Sequence, residues 1–295
     1  MVLAAIPIGQ VIVNFLLFGC FFAAVAVGFS LVWGIMNIVN LAHGAFMILG
    51  AYVGYWFFTQ WHIDPFIAIF LAMAVVFGIG WVVQYVAINR VIRAPLLVTF
   101  MLTFGLDLLI IDLLQNLFTG NIRAMNPSYA GAGINLGSTR IPFVNVAIAI
   151  IAVLLTVALA VFLSRTRTGN AILATGMDRD AARLMGISVR RTYALTFGIG
   201  AALAAAAGVM LGTTLQFQPV DADTYTLYGF VIVALGGLGT PYAALAGGLV
   251  FSLAETVASY LPGVGTSLEV GVAFVVLVLV LIIRPNGILG KPYYS

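Results

Sequence analysis

The sequence predicts an all-α, polytopic helical membrane protein with eight to nine transmembrane segments, one or two of them interrupted. Three observations carry this expectation. Hydrophobic residues form 63% of the 295-residue chain and charged residues only 7%, where a soluble domain carries about 25%. Mean hydropathy is +1.17. The chain also holds 32 glycines, a residue enriched in membrane helices.

The same composition excludes several classes. A disulfide-stapled secreted fold fails because Cys20 is the only cysteine. The net charge of +3 comes from dispersed arginines with no basic stripe, so nucleic acid is not an expected partner. With His43 and His62 the only histidines, a metal site is not expected either.

Taken in order, the first apolar stretch is 11–34. No Lys or Arg precedes Arg90, so the charged region of a cleavable signal is missing and a retained span is expected. Further spans are expected over 41–58, 65–88, 96–118, 143–163, 192–215 and 268–283. The region 225–261 is apolar but broken at Gly236-Gly237-Leu238-Gly239-Thr240-Pro241. Its first arm is short for a span.

Orientation follows from the cations. Arg90 and Arg93, the six arginines between Arg165 and Arg191, and finally Arg284 and Lys291 account for all but two of the 12 basic residues. Alternate threading gathers them on one side and leaves Arg123 and Arg140 on the other. The N-terminus is therefore expected outside and the C-terminus in the cytoplasm. For both to hold, 225–261 must begin and end outside, as a hairpin or re-entrant pair.

The whole chain, 1–295, reads as one transmembrane domain, with 164–191 a cytoplasmic loop inside it. The outer connection 119–142 is rich in Gly, Asn and Pro and has no hydrophobic core of its own. The inner loop holds one expected short helix. No nucleotide-binding domain fits, and a P-loop is ruled out because the sole lysine, Lys291, precedes Pro292. No cofactor is expected in this chain, nor an enzymatic activity, since paired His/carboxylate clusters and an activated nucleophile are lacking.

Within the inner loop, Thr175-Gly-Met-Asp178-Arg-Asp180-Ala181-Ala182-Arg183-Leu184-Met185-Gly186-Ile187 reads as a short helix. Thr175 or Asp178 can cap it, Asp180 suits its positive end, and Gly186 can supply a left-handed C-cap. Such a helix is either a plug for a partner's groove or a surface helix with its arginines on lipid phosphates.

Asn37, Asn40 and His43 recur every three residues, near one helical face, with Gly34 and Gly44 beside them. Polar groups at this depth either line a water-filled path or tie helices together. Gly236, Gly237 and Gly239 mark a second break, where backbone can face a substrate or helices can pack tightly. Asp107 and Asp112 lie within 96–118. Asp107, mid-span, is either a functional carboxyl or a structural one hydrogen-bonded to Thr103, and Asp112 is nearer the outer end. Asp221, Asp223, Glu255 and Glu269 fall towards the outer surface.

Four segments then carry a resemblance: Gly34-Ile-Met-Asn37-Ile-Val-Asn40-Leu-Ala-His43-Gly44, the loop Met177–Ile187, Ala234-Leu-Gly236-Gly-Leu-Gly239-Thr-Pro241, and Arg284-Pro285-Asn-Gly287-Ile-Leu-Gly290. In this order they resemble the branched-chain amino acid permeases of ATP-binding-cassette importers, the LivH/LivM type. Asp180 stands where that loop more often has Glu, which keeps the charge. The resemblance implies that Asp178, Asp180, Ala181, Ala182, Arg183, Leu184 and Gly186 form the helix that docks on an ATPase. It implies a related second permease subunit, two cytoplasmic ATPase subunits carrying ATP and its Mg, and an extracytoplasmic binding protein. Branched-chain or other hydrophobic amino acids are the implied cargo; urea, amides or other amino acids are the alternative within the family. An ion-coupled secondary transporter working through Asp107 is the alternative outside it.

Overall fold

A computed structural model describes residues 8–92, 94–137, 139–260 and 265–290, with side chains of the last helix from Gly271 onward. Arg93, Lys291 and the side chain of Glu269 lie outside the described residues.

Helix α1 covers Ile8–Met36, α2 His43–Trp61 and α3 Pro65–Val83; α3 continues through a π-turn over Gln84–Ile88 into α4, Asn89–Val91. Helix α5 spans Leu96–Phe118. The outer connection then forms a two-stranded antiparallel ribbon, β1 (Gly133–Leu136) with β2 (Thr139–Pro142), pairing Asn135 with Arg140. Helix α6 covers Phe143–Arg165, α7 Arg167–Met177, α8 Arg179–Leu184 and α9 Val189–Thr214. Last come α10 (Ala222–Gly236), α11 (Pro241–Tyr260) and α12 (Gly265–Ile283).

Helix α9 is the centre of the bundle. Its run of alanines and glycines is almost wholly buried, and its neighbours approach it at small residues. A Cβ on Gly50 would strike Ala205, one on Gly54 would reach Val209, and one on Gly208 would overlap the Met47 carbonyl. Between helices in lipid no hydrophobic force operates, so close backbone approach of this kind is what holds them. Helices α3 and α5 instead leave most of their apolar surface exposed, as lipid-facing helices do.

Several expectations change. Among the described residues six helices are long and apolar enough to cross a membrane, with α10 and the described part of α12 shorter. Helix α10 has 15 residues, short of the roughly 20 that span a bilayer. Helix α2 starts deep inside the bundle, since His43 meets Val25 near the middle of α1. The inner loop holds two helices, α7 and α8. The outer connection carries a β-ribbon, so the chain is not purely helical. The expected hairpin is present: α10 and α11 fold back on each other at Gly237–Thr240, with Gly236 against Ala243 and Tyr228 against Phe251.

Candidate functional site

The segment joining α1 to α2 is not helical, so Asn37 and Asn40 share no helical face; they lie in a true break. Asn37 takes a left-handed conformation, φ 53°, which Asn tolerates better than most residues. Side chains from distant helices satisfy part of the backbone of this break. Leu41 N–H donates to Thr103 Oγ1 (3.3 Å), which also lies 3.3 Å from the Val39 carbonyl oxygen. Gly44 N–H donates to Thr226 Oγ1 (2.8 Å), and that hydroxyl donates to the Leu41 carbonyl (3.0 Å). The first turns of α2 and α10 therefore meet, so closely that a Cβ on Gly44 would overlap the Ala222 carbonyl oxygen.

His43 is enclosed. Its Nε2 is 2.8 Å from the Val25 carbonyl oxygen, the geometry of an N–H donor, and its ring stands edge-on to Phe29. Asn40 is buried with Oδ1 unpartnered among the described residues. Asp107 is buried too; it reaches Asp223, at the start of α10, rather than Thr103, whose hydroxyl serves the break. Its Oδ1 has no partner among the described residues. Asp112 is exposed, and Glu255 borders a separate cavity with Tyr225 and Tyr228.

The second break closes on the C-terminal end of α1. Gly237 and Gly239 have φ of 103° and 91°, and a Cβ on Gly34 would strike Gly239. The chain after α12 seals this corner by backbone: Ile288 N–H donates to the Leu235 carbonyl (2.9 Å) and Leu289 N–H to that of Gly236 (2.8 Å). Between these parts lies a cavity of about 570 Å³ lined by Trp33, Gly34, Asn37, Phe230, Gly237, Gly239, Pro285 and Asn286. The indole of Trp33 stacks on Phe230 at 5.2 Å. On its other side Asn37 faces a more polar cavity of about 380 Å³, bordered by Thr99, Thr175, Asp178, Arg179, Asp180 and Tyr193.

That second cavity leads to α8. Asp178, not Thr175, is the cap: its Oδ1 accepts from Asp180 N–H (2.8 Å) and Ala181 N–H (3.0 Å), while Thr175 is buried and donates back to the Ala171 carbonyl. These amide bonds hold the Asp178 carboxyl below its ordinary value. At the other end Gly186, φ 81°, allows Gly186 N–H to reach the Arg183 carbonyl and Ile187 N–H that of Ala182. This pair of bonds is the Schellman closure. Ala182 is the buried foot of the helix, whereas Leu184 and Met185 are 90% and 83% exposed.

Asn37, Gly237 and Gly239 thus share one cavity, and Asp178 and Asp180 share another with Asn37. Asn40, His43 and Asp107 sit deeper, around the meeting of α2 and α10. Sequence reasoning missed Thr226, assigned Thr103 to Asp107 rather than to the break, and singled out 284–290 without its backbone role. The Gly287/Gly290 pair was the one available signal for the last. Among the described residues no cluster of His, Cys, Asp and Glu could hold a metal ion.

The model of the branched-chain amino acid transport system / permease component family matches residues 11–281. The chain is 32% identical to the high-affinity branched-chain amino acid transport system permease protein LivH of Salmonella typhimurium, over 96% of each chain. It is 31% identical to the corresponding protein BraD of Pseudomonas aeruginosa, again over 96% of each. A probable LivH of Methanocaldococcus jannaschii is 25% identical over 90% of this chain and 87% of its own. No solved structure matches. A multi-pass helical membrane protein matched from end to end in this way belongs to the branched-chain amino acid transport permease family.

Proposed function

We propose that the chain is the transmembrane permease subunit of an ATP-binding-cassette importer that carries branched-chain amino acids into the cytoplasm. The observation that carries the proposal is spatial. The four segments that bear the resemblance are scattered between residues 34 and 290, yet they converge on the inner end of α1, around Asn37. Family membership at 32% identity to LivH supports the cargo. The work is divided: an extracytoplasmic binding protein delivers the amino acid, a related second permease completes the membrane domain, and two cytoplasmic ATPase subunits bind ATP and Mg.

The orientation has the N-terminus outside and the C-terminus in the cytoplasmic, inner membrane's inward face. Nine passes result, with α2 and α10 as the short ones that begin within the bundle. Asn37, Gly237 and Gly239 line the inner part of the translocation path, and Gly236 frames it. Asn40, His43 and Asp107 hold the α2–α10 junction beside that path. Helix α8 is the ATPase-docking element within the loop 164–191: it is capped at both ends and presents Leu184 and Met185 outward.

Gly186→Val tests this. A β-branched residue resists φ > 0, so the Schellman closure opens and α8 loses its set direction. The assembled complex should lose substrate-stimulated ATP hydrolysis while the permease still inserts. Normal stimulation together with normal co-purification of the ATPase would eliminate the docking assignment.

A further inference from the structure

Beyond the C-terminal end of α3 four arginines border one cavity. It measures about 180 Å³ and is bordered by Arg90, Arg179, Arg183 and Arg190. Arg190 is fixed there: its Nη2 donates to the Tyr85 carbonyl (3.2 Å), and its guanidinium carbon lies 4.0 Å from the Tyr85 ring centroid. Asn89 Nδ2 in turn donates to the Arg190 carbonyl (3.2 Å). Arg183 touches Asp180 at 3.4 Å in an exposed contact, which contributes little against water. Arg90 and Arg179 make no ion pair or hydrogen bond among the described residues. Asp178, whose carboxyl accepts the amide bonds of the α8 cap, is a second carboxylate beside Arg179, so among the described residues four arginines stand against two carboxylates and the concavity keeps a net positive charge.

Size and place select the anion. The cavity is well below the roughly 300–1,000 Å³ of small-molecule sites, so it admits a phosphate group and not a nucleotide. Arg90 continues the exposed apolar strip of α3 and its π-turn, Val75, Ile79, Val82 and Val86, each between 39% and 50% exposed. A lipid whose acyl chains lie along that strip brings its phosphate to the arginines. We propose that this cavity binds the phosphate of an anionic phospholipid headgroup. Because Arg179 and Arg183 belong to α8, the bound lipid also ties the docking helix to the membrane surface.

The test uses the full chain in detergent with spin-labelled phosphatidylglycerol and phosphatidylcholine, reading the motionally restricted fraction of each. The wild type should prefer the anionic lipid. Arg90→Gln should weaken that preference roughly fivefold, the effect of one arginine near a lipid surface, and Arg90→Lys should retain most of it. An unchanged preference in Arg90→Gln overturns the site. Competition by inorganic phosphate and by chloride at equal ionic strength separates the sources: equal loss is plain screening and leaves the lipid assignment standing, whereas extra loss with phosphate makes the free anion the occupant and removes it. Loss of ATPase co-purification in Arg90→Gln with unaltered lipid preference would make the cavity a seat for an acidic protein segment instead, and would also overturn the proposal.

Discussion

The missing side chain of Gly44 allows α2 and α10 to meet. Any Cβ there would overlap the Ala222 carbonyl oxygen and crowd Thr226 Oγ1, and it would break the bond that satisfies the Gly44 N–H. Gly44→Ala should therefore destabilise the protein by about 1–3 kcal/mol, the usual cost of overpacking. Gly105→Ala, on α5 with nothing within 4 Å, should shift stability by less than about 1 kcal/mol. Thermal unfolding of both variants in detergent decides the matter; equal losses would mean that the junction is not tightly packed. Sequence pointed to Gly44 and His43 but not to their partners, because Thr226 is 182 residues away and a lone threonine in an apolar run looks ordinary. For His43 and Asn40 the sequence left a path lining and a tie between helices as the two readings. What sequence cannot convey is depth: His43 meets Val25 inside the bundle rather than facing a cavity.

Among the elements, α8 was the most legible, since its cap, its small buried face and its terminal glycine all lie within a dozen residues. Helix α7 was missed because its buried face, Gly169, Ile172 and Thr175, is short and only partly apolar. The cap of α8 gives a pH prediction. Amide hydrogen bonds hold Asp178 below its ordinary 3.8, so its stabilisation is complete above that value and is lost as pH falls through the lowered one. Amide hydrogen exchange across 179–186, corrected for intrinsic rates, should accelerate in that acid range in the wild type. In Asp178→Ala it should be fast already and show no further acid response. The same acid response in both proteins would take the cap away from Asp178.

For the molecule as a whole, composition fixed the class early: a chain with 7% charged residues cannot face water on all sides. The hairpin at Gly237–Thr240 was also legible, because alternate threading demanded it. The joining of the Arg284–Gly290 segment to that hairpin was not, since it is made by backbone bonds from Ile288 and Leu289, which no side-chain pattern reports. Together these pieces form a helical membrane unit in which the cavity at the Gly237–Thr240 break and the one bordered by α8 share Asn37. The most direct test of an ATP-driven importer is uptake of labelled leucine into proteoliposomes, comparing the complete complex given ATP with this chain alone under a proton or sodium gradient. Accumulation should require the ATPase subunits, the binding protein and ATP, and the chain alone should accumulate nothing. Gradient-driven accumulation by the chain alone would contradict the account and favour ion coupling through Asp107.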